Sequence, residues 1–241
     1  MAPRIAADDL RQRILDTSEA LIEKDGLSAL SMREVARRTG VTHQAPYHHF
    51  ADRETILAAL MTRGFDLMWS RLRRANDRAG PIGKRAALTA AGEAYVGLAL
   101  EHPGIFRIMF RPELCDATRF PDALAAAERA HEQLARLVQL MHDGEYSETL
   151  ASSYWAQVHG LALLLIDGPI AERITSLKDR RAHMRQTIAH FADYVLAFVG
   201  EKGAEPGARP AAEAAEAAVA AKAAKAARPL KPKPPPSSPA A

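Results

Sequence analysis

The stretch LSMREVARRTGVTHQAPYHHF, residues 30–50, decides the fold because it specifies two short helices joined by a tight turn. Ser31 and Glu34 have the S-x-x-E spacing of a capping box, in which each side chain can satisfy a free backbone N–H group of the other. Leu30 and Val35 occupy the two positions of a hydrophobic staple around the same cap. A helix is therefore predicted to begin immediately after Ser31.

The end of this helix and the start of the next are specified as well. Gly40 can adopt the left-handed conformation that ends helices, and Thr42 can then cap a second helix. Pro46 falls in the first turn of that helix or just beyond it, where a missing N–H group costs least. Two short helices joined by a glycine-containing turn describe a helix-turn-helix motif over residues 31–50.

The helical period gives the second helix an inner and an outer face. Val41, Ala45 and Phe50 are predicted to point inward, where the small Ala45 lets the two helices approach each other. The outer face then carries hydrogen-bonding side chains, which are His43, Gln44, Tyr47 and His48. Basic residues lie nearby in the sequence, at Arg33, Arg37, Arg38 and Arg53.

A polar outer face of this kind suits the major groove of DNA. Gln44 can hydrogen-bond adenine edges, and His43 can donate or accept a hydrogen bond. Tyr47 and the arginines would contact phosphates and position the helix. The set of DNA-contacting residues predicted from the sequence is Ser31, Arg33, Thr42, His43, Gln44, Pro46, Tyr47, His48 and Arg53.

The histidines of this stretch allow two other interpretations, a metal site and a plain solvated face. His48 and His49 are adjacent, so on a helix they point about 100° apart. The residue one turn after His48 is Asp52, which is expected to cap the next helix. The geometry thus argues against a metal site, and neither a metal nor a cofactor is expected.

Composition and length indicate an ordinary cytoplasmic protein. The 241 residues are 48% hydrophobic and 25% charged, which is typical of soluble globular domains. The single cysteine, Cys115, excludes an internal disulfide and is either a small hydrophobic side chain or a redox-sensing thiol. The first residues turn polar at once, unlike an export signal, and the longest aliphatic run, Leu161–Ile166, is too short to span a bilayer.

The excess positive charge lies at the end of the chain. Residues 201–241 hold seven basic and four acidic residues, so residues 1–200 are formally neutral. This segment is rich in Ala, Pro and Lys and lacks apolar side chains that could offset ordering entropy, which predicts a disordered tail. The tail is either a plain linker or an electrostatic arm that touches phosphates beside a DNA site.

The rest of the chain follows helical patterns, which predicts an all-α fold. The first helix carries an apolar stripe of Leu10, Ile14, Leu21 and Ile22, and it is expected to open at Asp8 or Asp9 and close before Gly26. Further helices are predicted at 53–75, 82–101, 103–111, 121–142, 146–167 and 179–199. No recognisable nucleophile or acid–base pair is present, so the chain is not expected to be an enzyme. Nor does the basic tail have an apolar face for a membrane surface.

At this point the sequence resembles the TetR (tetracycline-repressor-like) family of regulators. The residues that carry the resemblance are LSMREVARRTGVTHQAPYHHFADRETIL, within a match over residues 8–68. Arg53 stands where many members have lysine, and Pro46 replaces a more usual aliphatic residue. The resemblance implies a three-helix DNA-binding domain over residues 8–68 and a helical effector-binding and dimerisation domain over residues 75–200.

A second resemblance lies in the C-terminal part. EHPGIFRIMF (101–110) and YWAQVHGLALLLIDG (154–168) look like a C-terminal domain type with a Trp…His-Gly signature. Trp155 and His159 share one helix face, either as ordinary core or as part of a ligand pocket. Plain core packing is the alternative for every candidate pocket residue. The candidates are Phe65, Trp69, Phe106, Met109, Phe110, Trp155 and His159.

Two apolar stripes point to assembly. The predicted dimer interface consists of Leu161 and Leu165 in one helix and of Met184, Ile188, Phe191, Val195 and Phe198 in the last helix. Together with the resemblance, the stripes predict a homodimer with a four-helix interface on a palindromic DNA operator. The resemblance further implies a repressor that a small hydrophobic effector releases from its operator.

Overall fold

The computed structural model describes the backbone of residues 7–202 and the side chains of residues 9–199. Over this range the chain forms nine α-helices and no strand, which confirms the predicted all-α class. The helices are α1 (Ala7–Asp25), α2 (Met32–Thr39), α3 (Arg53–Ala79), α4 (Lys84–Glu101), α5 (Pro103–Met109), α6 (Pro121–Met141), α7 (Glu148–Ile166), α8 (Pro169–Arg173) and α9 (Leu177–Lys202). Short 3-10 helices lie at Leu27–Ala29, Ala45–His48, Gly80–Ile82 and Ala117–Arg119.

Several helix starts differ from the sequence prediction, among them those of α1 and α8. Helix α1 already includes Ala7, so Asp9 lies inside the helix instead of capping it. Pro169 lies between the helices predicted at 146–167 and 179–199, but it begins the short helix α8. Its fixed φ angle and missing N–H group are compatible with the first helical turn, which explains why the same residue can end one helix and begin another.

The predictions for the end of the chain fall mostly outside the described residues. Helix α9 continues to Lys202, two residues into the segment predicted as a tail. The predicted disorder and the predicted basic arm of residues 203–241 lie beyond the described range. Within that range no helix combines the length and apolar character needed to cross a bilayer.

Helix α3 is the common packing partner of α1, α4, α5 and α6. It begins at Arg53 because the Asp52 carboxylate accepts a hydrogen bond from the backbone N–H of Thr55 at 2.8 Å. It then runs without a break past the boundary predicted between residues 68 and 75. One rigid element therefore belongs both to the helix-turn-helix region and to the C-terminal helices.

Gly64 marks the place where α5 approaches α3 most closely. A Cβ atom on Gly64 would lie 2.6 Å from the Cγ2 atom of Ile105 and 2.6 Å from the Sδ atom of Met109. Both distances are far inside van der Waals contact. Ile105 is 2% exposed, and its branched Cγ2 atom lies close to its own backbone, so Ile105 cannot move aside without a shift of α5. The absence of a side chain at position 64 is thus required for this helix packing.

We predict that Gly64→Ala lowers the free energy of unfolding by about 1–3 kcal/mol, because overpacking outweighs the better helix propensity of alanine. Gly97→Ala in α4 is the matched control, since an added Cβ atom there meets nothing within 4 Å. The control should stabilise the protein by about 0.5–1 kcal/mol. Urea denaturation of both variants tests this, and equal shifts in the two variants would contradict the packing argument.

Candidate DNA-binding surface and ligand cavity

The first helix of the motif, α2, has the predicted cap with one difference. The Ser31 hydroxyl accepts a hydrogen bond from the Glu34 backbone N–H at 3.2 Å. The Glu34 carboxylate does not complete the capping box but pairs with Arg37 at 2.6 Å and Arg38 at 2.9 Å. These two guanidinium groups lower the pKa of Glu34 to about 2. Gly40 ends the helix at a φ angle of +73°, in the left-handed region.

The second element of the motif differs from the predicted helix. Ala45–His48 forms a 3-10 helix, and its N-cap residue is Gln44 instead of Thr42, with no side-chain hydrogen bond at the cap. Backbone N–H groups donate to carbonyls three residues back, as in the bond from Ala45 to Thr42 at 3.0 Å. Pro46 has no N–H group to donate to Thr42, so the first α-helical hydrogen bond of this segment cannot form.

The exposed side of this segment holds the predicted polar side chains. His43, Gln44, Tyr47 and His48 are exposed, and the rings of His43 and Tyr47 lie 5.9 Å apart. On the opposite side Phe50 is 2% exposed, while Val41 and Ala45 are half-buried. The Pro46 ring is buried too, which corrects the expectation that its side chain contacts DNA.

The predicted cations of the surface have unequal roles. Arg33 is exposed and forms no ion pair with any described residue, so its charge remains available. Arg53 is different, because its guanidinium donates to the backbone carbonyls of Leu30 at 2.9 Å and Leu27 at 3.1 Å. These bonds fix the turn before α2 and give Arg53 a structural role, while its phosphate contact stays a prediction. Ser31 and Thr42, also predicted to contact DNA, are exposed.

The C-terminal helices enclose a largely apolar cavity of about 680 Å³. This volume is in the usual range for small-molecule sites. Its walls come from α3, α4, α6 and α7 and from the end of α5. The lining residues are Phe65, Met68, Leu72, Leu88, Ala91, Gly92, Tyr95, Met109, Phe110, Ala127, Glu128, Ala130, His131, Glu132, Gln133, Leu134, Leu137, Tyr154, Trp155 and Val158.

The cavity includes some of the predicted pocket residues and leaves out others. Four of the seven line it, namely Phe65, Met109, Phe110 and Trp155. The other three do not. Phe106 is fully buried and stacks on His159 with ring centroids 5.5 Å apart, while the Trp69 ring lies 5.3 Å from the guanidinium carbon of Arg73. Apolar spacing along a helix could not separate a residue of the cavity wall from one directly behind it.

At the cavity wall, a hydrogen-bonded group explains the Trp…His spacing. The Trp155 Nε1–H donates to the Tyr95 hydroxyl at 2.9 Å, and the hydroxyl lies 2.9 Å from Nδ1 of His159. Burial lowers the pKa of His159 and so favours the neutral imidazole that accepts from Tyr95. Burial also raises the pKa of Tyr95. Sequence reasoning missed Tyr95, although a buried tyrosine hydroxyl needs a partner.

A carboxylate joins the helix-turn-helix region to the cavity wall. Glu23 near the end of α1 accepts hydrogen bonds from the backbone N–H groups of Gly104 at 2.9 Å and Ile105 at 3.3 Å. These are free N–H groups at the start of α5, where negative charge is stabilised. Since α5 ends next to the cavity residues Met109 and Phe110, one short helix connects Glu23 to the cavity.

The predicted dimer stripe is largely buried inside the protein's own core. Its buried members, at 0–5% exposure, are Leu161, Leu165, Met184 and Ile188. Ile188 lies against Gly92, so that side of α9 packs on α4. Phe191 and Val195 are half-buried, and Phe198 is 54% exposed. The exposed large apolar residues of α7 are instead Trp155, Leu163 and Leu164. Four of the seven predicted interface residues thus belong to the core, which corrects their assignment.

Cys115 and the acidic and histidine side chains offer no further reactive site. Cys115 is 2% exposed, and burial raises the pKa of its thiol, which disfavours the reactive thiolate. Among the side chains described for residues 9–199, no group of three His, Cys, Asp or Glu residues could hold a metal ion. The motif surface and the cavity are therefore the two candidate functional regions among the described residues.

Comparison with known proteins relates both regions to one family. Residues 14–60 match the family described as bacterial regulatory proteins, tetR family, and residues 88–191 match the tetracyclin repressor-like C-terminal domain. The HTH-type transcriptional repressor KstR of Mycolicibacterium smegmatis is 32% identical over 151 residues, which cover 59% of this chain and 68% of KstR. The HTH-type regulator Rv0681 of Mycobacterium tuberculosis is 27% identical over 165 residues, 66% of this chain and 71% of the relative.

Solved structures agree with this relationship. A protein of unknown function from Rhodococcus sp. RHA1 is 29% identical and superposes with a TM-score of 0.59 over 75% of this chain and 94% of its own. The TetR-family regulator PfmR of Thermus thermophilus shares the fold at 19% identity, with a TM-score of 0.56 over 77% of this chain and 97% of its own. The two matched segments together exceed half of the 241 residues, and the chain belongs to the TetR family of bacterial transcriptional regulators.

Proposed function

We propose that this regulator binds a palindromic operator as a homodimer and represses transcription until a small hydrophobic ligand enters the cavity. The observation that carries the proposal is the exposed polar surface formed by His43, Gln44, Tyr47 and His48 on a helix-turn-helix motif. The proposed DNA-contacting set is this surface together with the exposed Ser31, Arg33 and Thr42.

The chemistry of each side chain suggests its part in DNA binding. Gln44 can form a bidentate pair with adenine in the major groove and so supplies base preference. Tyr47 and Arg33 can contact phosphates, which positions the motif without reading the sequence. Arg37 and Arg38 add less charge, because they are paired with Glu34. Base preference and general affinity should therefore respond to different substitutions.

We predict that Gln44→Ala relaxes the preference at one base position and costs about 1–3 kcal/mol on the preferred operator. Tyr47→Ala should instead weaken binding to all DNA sequences. Arg33→Ala should lower the slope of log K against log salt by about 0.9, because one phosphate contact is lost. Gel shift or fluorescence anisotropy with an operator fragment, at several salt concentrations, measures all three effects.

The control for the charge effect is Arg185→Ala, which removes an exposed arginine on α9 that forms no ion pair among the described residues. This variant should keep the operator affinity and salt slope of the unmodified protein. Unchanged operator binding in both Gln44→Ala and Tyr47→Ala would refute the assignment of the surface.

Dimerisation is proposed to use the outer face of α7. Ala156, Leu163 and Leu164 are exposed on this face, and Gly160 lies between them at helical spacing. An added Cβ atom on Gly160 would meet nothing within 4 Å, so the face is open at that point. A helix from a second chain can approach closely along a strip of small residues. The exposed Tyr194 and Phe198 of α9 can extend the apolar contact.

We predict that Gly160→Leu converts the dimer to a monomer and preserves the fold. Leucine should improve helix propensity by about 0.8–1 kcal/mol and meets no neighbour within the chain, but its side chain would hold a partner helix away. Sedimentation at micromolar concentration and thermal unfolding measure the two effects separately. A stable dimer in Gly160→Leu would place the interface elsewhere, and Gly160→Ala serves as the conservative control.

Ligand control is proposed to pass through α5. A ligand can release DNA only if it binds two geometries of the dimer with different affinity. Met109 and Phe110 place the end of α5 against the cavity, and Glu23 holds the other end to α1 of the helix-turn-helix region. A ligand that displaces α5 would therefore also displace α1 and with it the spacing of the two motifs in a dimer.

We predict that Glu23→Ala weakens the response to ligand more than it weakens binding of the operator. Allosteric coupling between two sites typically changes affinity by about 5–150-fold. In Glu23→Ala the factor by which ligand weakens operator binding should fall at least about threefold. A compound that binds the cavity is first found by thermal shift, and operator affinity is then measured with and without it.

The matched control for this test is Ser147→Ala. Ser147 caps α7 by accepting from the Leu150 N–H at 3.2 Å, so its loss also removes a helix cap but no link between α1 and α5. An unchanged ligand response in Glu23→Ala, or an equal loss in both variants, would disprove the proposed route.

A further inference from the structure

The chemistry of the cavity opening differs from that of its interior. Of the residues that line the cavity, only four are exposed: Glu128, His131, Glu132 and Trp155. Residues that line a cavity and also contact solvent lie where it opens. Glu128, His131 and Glu132 are three and four residues apart on α6, so they share one helix face. The opening is therefore framed by two carboxylates, an imidazole and an indole ring.

The two carboxylates at the opening have no partner of opposite charge. Neither Glu128 nor Glu132 forms an ion pair or a side-chain hydrogen bond with any described residue. The neighbouring arginines of α6 are already engaged, Arg129 with Asp66 at 2.6 Å and Arg136 with Asp77 at 3.2 Å. His131 lies 3.3 Å from the hydroxyl of Tyr146. The opening thus keeps a net negative charge that nothing in the described chain balances.

The residues that line the interior include no cationic side chain that would balance the charge of an anion. No lysine or arginine is present among the residues that line the cavity. The Tyr95 hydroxyl is occupied by Trp155 and His159, and the Tyr154 hydroxyl lies 3.1 Å from His142. A carboxylate or phosphate inside the cavity would be desolvated without compensation, which is strongly unfavourable.

From these observations we infer that the ligand is a lipophilic organic cation. Its apolar body fills the aromatic and aliphatic interior, and its positive charge stays at the opening between Glu128 and Glu132. The Trp155 ring at the same opening can add a cation–π contact. This inference rests on the proposed function of the cavity as the effector site and specifies the chemical class of the effector.

Three amphiphiles with the same decyl chain test the inference on the full-length protein. They are decyltrimethylammonium, decan-1-ol and decanoate, each titrated calorimetrically at neutral pH, low salt and concentrations below micelle formation. The ammonium compound should bind at least about tenfold more tightly than decanoate, as expected for charge interactions near a protein surface. Added salt should reduce this preference, since the opening is exposed to solvent.

The double variant Glu128→Gln/Glu132→Gln identifies the source of the preference. It should weaken binding of decyltrimethylammonium about tenfold, strengthen binding of decanoate and leave decan-1-ol within about twofold. The matched control is Glu145→Gln/Glu172→Gln, which removes two exposed carboxylates that do not line the cavity. This control should leave all three affinities within about twofold.

The outcomes separate the inference from the proposed function. Tightest binding by decanoate, or an unchanged affinity for the ammonium compound in the Glu128→Gln/Glu132→Gln variant, overturns the cation assignment and leaves the cavity as a ligand site. Failure of all three amphiphiles to bind overturns the cavity as a site for amphiphilic ligands, and the inference falls with it.

Discussion

The contact between α5 and Gly64 of α3 is the constraint on which the rest of the structure depends. Only a residue without a side chain lets Ile105 and Met109 lie against the α3 backbone. This close approach fixes α5, and α5 in turn places Phe110 at the cavity and its own first N–H groups at Glu23. Because packed interiors do not deform continuously, a shift of α5 must be shared by α1 and the cavity together.

Helix α3 extends the effect of this contact to both parts of the protein. It packs against α1, its first half carries the fully buried Ile56 and Leu57, and further along Phe65 and Met68 line the cavity. A continuous helix transmits rotation better than a flexible linker, since its backbone hydrogen bonds must break before it bends. The cavity and the helix-turn-helix region are thus connected by two helices, α3 and α5, and by the Glu23 carboxylate.

The cavity combines a largely apolar interior with two carboxylates at its opening, and the two features have separate physical effects. Burial of apolar ligand surface supplies affinity without regard to charge. The unpaired carboxylates at Glu128 and Glu132 select among ligands of similar shape by sign of charge. The proposed DNA-binding surface would divide in a comparable way, with Gln44 for base edges and with Arg33 and Tyr47 for the phosphate backbone that all sequences share.

Short-range hydrogen bonds and residue spacing are sufficient to predict the helical fold, the cap at Ser31 and the helix end at Gly40. The same local spacing predicts the polar surface that includes Gln44 and Tyr47. The direction in which an apolar stripe faces depends on tertiary packing. Leu165 and Ile188 have the same sequence pattern whether they lie in the core of one chain or in an interface between two chains. Tertiary packing also decided that Arg53 binds backbone carbonyls and that Glu23 meets α5, because both contacts join residues far apart in the chain. Periodicity identifies the face of a helix, but the neighbours of that face depend on how the helices pack.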